Sequence, residues 1–310
     1  MIETDKKKCE NYAAWLGNMA GTALLEEVYT APKPGLVDPL SNGAHQDMNL
    51  LTFKRSAEAL LPYFCRFAEI GTQMSEKPEG CFLKIRQIGI QAEKAMYEAT
   101  GQVNTHKGAV FTMGILCAAA GSCFKKYGQV SINSLIMQEQ KMVKNILLNE
   151  LDSIQIQNSK DTHGQKNLCT YGSRGIRGEA ADGYPSVINL ALSVIRQGKK
   201  EGRNWNLVKI QALFTLMSQV EDGNILSRCR SEGLKEVKKL SQEFLLSGGA
   251  YSKVATEELI KLDTYFIHKN YSSGGCADLL AASIFLSEIE KRGQESEQVN
   301  YAGRKTVSGP

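Results

Sequence analysis

The sequence predicts an all-α protein, a single multi-helix domain whose Gly-rich polar loops form the active-site cleft. Three observations carry this expectation. Apolar residues recur at i, i+3/i+4 and i+7 over several long segments. Sustained period-2 alternation is scarce, and its best instance, residues 153–157, is short. Polar Gly-rich stretches interrupt the helical segments and carry acids, bases or both. At typical helix lengths the chain holds roughly ten or more helices.

The elements follow in order. Trp15, Leu16, Met19, Ala20, Ala23 and Leu24 form a first stripe. Residues 32–48, PKPGLVDPLSNGAHQDM, cannot be an ordinary helix, because Pro and Gly interrupt them repeatedly. Phe53, Ala57, Leu60, Leu61, Phe64 and Phe67 form the second stripe, with a kink or restart expected at Pro62. Ile85, Ile88, Ala92, Ala95 and Ala99 form the third. The uncharged run from Ala109 to Phe124 is short for a bilayer span and reads as a buried helix. Val187, Leu190, Ala191, Val194 and Ile195, then Leu213, Leu216, Met217 and Val220, complete the set. No linker or fixed-period repeat divides the chain, so residues 1–290 read as one domain. Residues 291–310 are polar, lack an apolar stripe and read as a frayed tail.

A 42% hydrophobic content suffices for a large core. Net charge is 37 − 33 = +4, which suits an anionic small molecule and argues against a nucleic-acid surface. The eight cysteines include no CxxC pair, so neither a zinc site nor a disulfide framework is expected. The N-terminus has no apolar h-region. These readings place the chain in the cytoplasm, away from membranes.

Four polar segments could carry chemistry. In the first, Glu26 and Glu27 lead into a loop with Asp38, His45 and Asp47, which could hold a hard cation or serve as acid and base. The alternative is a rigid turn whose Asp and Asn cap the next helix. In the second, Asn104-Thr105-His106-Lys107-Gly108 precedes the apolar helix, so free amides and a Lys could bind an anion, or Thr105 could simply cap the helix. The third runs from Asp161 to Pro185. It joins Gly164, Gly172, Gly175, Gly178 and Gly183 with Arg174, Arg177, Glu179 and Asp182. Glycines expose backbone amides, arginines clamp phosphate, and carboxylates bind metal or move protons. The fourth has two pieces, Glu221-Asp222-Gly223-Asn224 leading to Arg228, and Ser272 to Asp278, which is also an ordinary helix-capping arrangement. No Walker A, Rossmann, GxSxG or HExxH pattern is present.

In this order, PKPGLVDPLSNGAHQDM, NTHKGAVFTMGILCAAAG, GSRGIRGEAADGYPSV, the Asp222–Arg228 piece and SSGGCADLLAASIFL resemble the triphosphoribosyl-dephospho-coenzyme A synthase family. The likeness touches most of residues 12–290. It implies an all-α transferase that joins ATP and 3′-dephospho-CoA. The ribose 2′-hydroxyl attacks C1′ of the ATP ribose, adenine leaves, and the product is a prosthetic-group precursor. That precursor serves an acyl carrier protein, of citrate lyase in preference to malonate decarboxylase. The implied partners are the two nucleotides and a downstream holo-acyl-carrier-protein synthase or transferase, and a homo-oligomer is compatible.

The resemblance also suggests roles. Glu27, Asp38 and Asp47 would hold Mg²⁺, with Lys107, Arg174 and Arg177 on the triphosphate beside Thr105 and Gly108. Glu179 or Asp182 would be the base for the 2′-hydroxyl, and His45 or His106 an acid or phosphate contact. Asp222, Asn224, Arg228 and Asp278 fall at motif positions on the substrate side. The chain departs from the family pattern at Asp222-Gly223-Asn224 (a DTN-like element is expected), at Cys229-Arg230 (small residues) and at Ser273 (commonly Pro). Two other readings fit acid-rich loops on a helical body, a nucleotide N-glycohydrolase and a non-catalytic protein that carries a CoA derivative.

Overall fold

In a computed structural model, the backbone is described for residues 2–74 and 77–307, and side chains for 5–74 and 77–295. Among these residues there are helices and no strand. In chain order they are α1 (Ile2–Val28), α2 (Leu50–Thr72), α3 (Pro78–Ala99), α4 (Lys107–Tyr127), α5 (Ile132–Gln157) and α6 (His163–Tyr171). Then come α7 (Gly175–Ala181), a π-helical turn (Ser186–Ala191), α8 (Leu192–Lys200), α9 (Trp205–Met217) and α10 (Gly223–Leu246). A 3₁₀ turn (Gly249–Tyr251), α11 (Ala255–Lys269) and α12 (Gly274–Val307) complete the chain.

The architecture is built around α4. Its residues Ala109, Val110 and Thr112 to Cys123 are buried, so neighbours cover it on every side. By length and composition α4 could cross a membrane, but 78% of its apolar window lies inside the fold. Small residues let α2 approach it closely. A Cβ on Gly71 would come within 2.0 Å of the Ala118 carbonyl oxygen, and one on Gly121 within 2.3 Å of that of Ala68. Helices α1, α3, α5 and α12 pack around this pair. Aromatic and aliphatic side chains of α9, α10 and α11, including Phe214, Phe244 and Leu259, form a smaller second core.

Four expectations change. Residues 153–157 end α5 as helix, and their alternation reflects two isoleucines on a largely exposed turn. Helix α2 runs unbroken through Pro62, whose ring lies on the exposed face, where water can satisfy the freed carbonyl. The third polar segment is largely helical. Thr162 and Gln165 form a capping box that starts α6, and Gly172 closes it in a left-handed conformation. Finally, α12 continues through the polar segment to Val307. Glu, Lys and Gln propagate a helix once it is nucleated, even without an apolar stripe.

Candidate active site

The loop after α1 is organised by Asp38. Its Oδ2 accepts from the Lys33 amide at 2.7 Å, and its Oδ1 from the Leu40 and Ser41 amides at 2.7 and 3.0 Å. Asp38 is buried and spends both oxygens on backbone, so it is the loop's clasp and not the expected metal ligand. The clasp sets Lys33 between two prolines, with its side chain 1% exposed. Lys33 Nζ donates to Glu27 Oε1 and, at 2.7 Å, to the Glu27 carbonyl. Burial lowers the Lys33 pKa and the Glu27 carboxylate opposes that shift. Asp47 is largely exposed, 3.8 Å from His45 Nδ1.

The second segment enters α4. Ser56 Oγ lies 2.7 Å from His106 Nδ1 and accepts from the Thr105 hydroxyl at 2.7 Å. His106 is buried against Phe53, and desolvation, with Lys33 nearby, pushes its pKa down to about 3. A ring that stays neutral near pH 7 cannot be the expected cationic acid. Lys107 reaches Glu93 at 3.0 Å and remains half exposed at the cavity edge.

Around α7 the expected residues separate. Glu179 turns inward, where its carboxylate accepts from Ser186 Oγ at 2.6 Å and the Ser186 amide at 3.2 Å. Burial raises its pKa, and the Ser186 hydrogen bonds oppose that shift. Arg174 lines the cavity and pairs with Asp182 at 2.8 Å. That pairing commits one Asp182 oxygen to Arg174. Arg177 approaches Glu150 of α5 at 4.0 Å and is not part of the cavity wall, contrary to the expected phosphate clamp. Its guanidinium is drawn to the acid that also binds Arg86.

The fourth segment joins two helix starts. Asp222 caps α10 through the Asn224 and Ile225 amides at 2.8 and 3.1 Å, while its Oδ2 accepts from the Cys276 amide of α12 at 2.8 Å. Its carboxylate thereby pins the starts of α10 and α12 together. Asn224 lies at the cavity rim. Arg228 donates to the Ala44 carbonyl and to Asn270 Oδ1, tying the opening loop to α10 and the end of α11. His45 Nε2 lies 2.8 Å from Ser272 Oγ, and burial, with Arg228 beside it, lowers its pKa. Just beyond Arg228, Arg230 breaks helical geometry at φ 59°, where the resemblance expects small residues.

These pieces enclose a cavity of about 860 Å³, near the upper end for small-molecule sites. Glu27, Lys33, His45, Asp47, Thr105, His106, Lys107, Gly108, Arg174, Glu179, Asp182, Asp222, Asn224, Arg228 and Asp278 all line it. The N-terminal ends of α4, α10 and α12 border it, the amides of Asn224, Ile225 and Cys276 being taken by Asp222, and the remaining amides give the wall a polarity that favours anions. Asp278, in the first turn of α12, faces Gly108 of α4. A Cβ on Gly108 would come within 2.1 Å of its Oδ2, so glycine alone allows that approach. Desolvation, with Glu27 and Asp222 beside it, raises the Asp278 pKa well above the carboxylate range. The sequence reading missed Lys33, and its one signal was the Pro-Lys-Pro frame. The expected Mg²⁺ trio does not fit as a protein-held centre. Asp38 is consumed by amides, Glu27 is paired with Lys33, and no three His, Cys, Asp or Glu among the described residues group as ligands.

Residues 13–297 match the family model described as ATP:dephospho-CoA triphosphoribosyl transferase. A probable 2-(5''-triphosphoribosyl)-3'-dephosphocoenzyme-A synthase from Photobacterium profundum is 36% identical over 281 residues, covering 89% of this chain and 88% of its own. The synthase of that name from Escherichia fergusonii is 35% identical over 280 residues, covering 90% and 92%. Protein CitXG of Leuconostoc mesenteroides subsp. cremoris is 38% identical over 277 residues, which are 88% of this chain and 58% of that protein. No solved structure matches the chain significantly.

Proposed function

The chain belongs to the ATP:dephospho-CoA triphosphoribosyl transferase family, and from that premise we propose that it moves the triphosphoribosyl group of ATP to the ribose 2′-hydroxyl of 3′-dephospho-CoA. The observation that carries this reading is one cavity in which buried carboxylates face helix amide ends and basic side chains. In the proposed reaction the bond from C1′ to adenine breaks and a bond from C1′ to the 2′-oxygen forms.

Glu179, held by Ser186, takes the proton of the 2′-hydroxyl, and its raised pKa makes it a stronger base than an exposed carboxylate. Asp278, whose pKa burial raises, gives its proton to the departing adenine. Positive charge developing at C1′ is met by the cavity's carboxylates. Lys107, Arg174 and the amide ends of α4 and α12 receive the triphosphate. Mg²⁺ carried on the triphosphate would neutralise part of its charge.

The product is read as the prosthetic-group precursor of an acyl carrier protein, of citrate lyase in preference to malonate decarboxylase. A holo-acyl-carrier-protein synthase follows it in the cytoplasm, and gene neighbourhood tests that assignment. The test of the reaction is mass spectrometry of products from ATP and 3′-dephospho-CoA with Mg²⁺. Adenine release that requires 3′-dephospho-CoA supports transfer, and release without it indicates hydrolysis. Glu179→Gln is expected to abolish product without unfolding the protein, and near-normal turnover sinks its role as base.

A further inference from the structure

Behind the α7 turn lies a second polar cluster, sealed in the core and outside the cavity wall. Glu139 on α5, Thr112 on α4 and Tyr184 before the π-helical turn are each 0% exposed. Both carboxyl oxygens of Glu139, the Thr112 hydroxyl and the Tyr184 hydroxyl lack a hydrogen-bond partner in the protein. Isolated buried polar groups are costly, so a cluster of them calls for a reason. The Tyr184 hydroxyl faces Thr112 and lies within electrostatic reach of both Glu139 and Glu179. Side chains from three elements thus converge at one point in the core, with the site's buried carboxylate beyond it.

The backbone points the same way. Tyr184 has φ 55° and Gly183 φ 78°. Positive φ in a bulky residue is an outlier that surrounding structure must hold in place. Helix α5 closes over this turn, since a Cβ on Gly183 would lie 2.8 Å from Gln140 Nε2 and 2.9 Å from Ile136 Cγ2. The Tyr184 amide donates to the Glu179 carbonyl at 2.7 Å. Further along the chain, Ser186 holds the Glu179 carboxylate through its amide and hydroxyl. Tyr184 and Glu179's partner Ser186 thus belong to one turn that contacts Glu179 at both its backbone and its carboxylate.

We propose that Glu139 and Thr112 are positioning residues that surround the Tyr184 hydroxyl and thereby fix the turn that aims Glu179 into the cavity. The proposal rests on the reading of Glu179 as the proton acceptor. Burial pushes the Glu139 carboxyl up to about 9, so it is neutral near pH 7 and can donate as well as accept. A neutral acid and two hydroxyls complement one another as donors and acceptors. If Glu139 were a buried acid without a role, an apolar residue of similar size would serve as well or better.

Steady-state kinetics with ATP and 3′-dephospho-CoA on Glu139→Leu, Glu139→Gln and Tyr184→Phe test the proposal. Glu139→Leu and Tyr184→Phe should lower kcat roughly ten- to a hundredfold, the scale of a small misplacement of a reacting group. KM for both substrates should stay within about twofold, because neither side chain lines the cavity. Glu139→Gln, which keeps a donor and an acceptor, should recover most of kcat. Wild-type kcat in Glu139→Leu and Tyr184→Phe overturns the proposal. If Glu139→Leu fails to fold, Tyr184→Phe, which removes a single oxygen, decides alone. Glu179→Gln separates the two possible failures. An active Glu179→Gln sinks the base reading, whereas an inactive Glu179→Gln beside normal Glu139→Leu and Tyr184→Phe sinks only the positioning role.

Discussion

Replacing Asp38 by Asn distinguishes a loop clasp from a metal ligand. Asn can keep one oxygen in place, so its Oδ1 retains the Leu40 and Ser41 amides. The amide nitrogen then takes the place of Oδ2, which accepts from the Lys33 amide at 2.7 Å. One charge-assisted bond is lost and two donors face each other, at a cost of about 2–3 kcal/mol. Unfolding entropy of about 2.1 cal/mol/K per residue gives roughly 0.65 kcal/mol/K for 310 residues. The thermal midpoint should therefore fall by about 4 °C, as read by scanning calorimetry. Because the clasp sets Lys33 against Glu27, turnover should fall as well, without a change in Mg²⁺ dependence. An unchanged midpoint, with activity restored by added Mg²⁺, would refute this reasoning and return Asp38 to the ligand role.

Two further substitutions probe the interior. Gly108→Ala sets a methyl 2.1 Å from the present Asp278 Oδ2, so the carboxyl must swing away. Ala also favours the first turn of α4, so the midpoint should hold or rise while kcat drops by roughly a hundredfold, and a wild-type kcat would remove Asp278 from the reaction. Glu139 has a folded-state pKa of about 9 against an ordinary 4.5. Its contribution is fully present below 4.5 and is lost as pH rises through about 9. From pH 6 to 8 the wild type should therefore lose about 3 kcal/mol of stability relative to Glu139→Gln, at up to 1.36 kcal/mol per pH unit. Parallel denaturation curves at both pH values would contradict the buried, neutral state.

What the sequence disclosed follows from what repeats in it. Stripes such as Phe53, Ala57, Leu60 and Phe64 mark α2 because burial of one face imposes a period. The polar segments were visible as interruptions, and they do meet at one cavity. Individual roles were not visible, because they depend on direction and depth. Asp38 has ligand chemistry, yet its place before Pro39 and three residues from Ser41 is also that of an Asp that accepts local amides, and the fold uses it so. His106 has acid–base chemistry that burial removes. Lys33 escaped notice because lysines are almost never fully buried without a partner, and its partner Glu27 had been assigned to metal. The Thr162–Gln165 capping box was legible, but the glycines after it drew the segment into the loop class.

The helix starts around the cavity have a consequence for how such a site survives sequence drift. A positive field made by amide ends belongs to the peptide bond, and no single codon encodes it. It cannot be titrated near neutral pH or chemically masked the way a lysine can. Substituting Lys107 or Arg174 singly will therefore understate how much the wall attracts an anion. Asp222 fixes where two of those helices, α10 and α12, begin, and in doing so takes up part of the field they make.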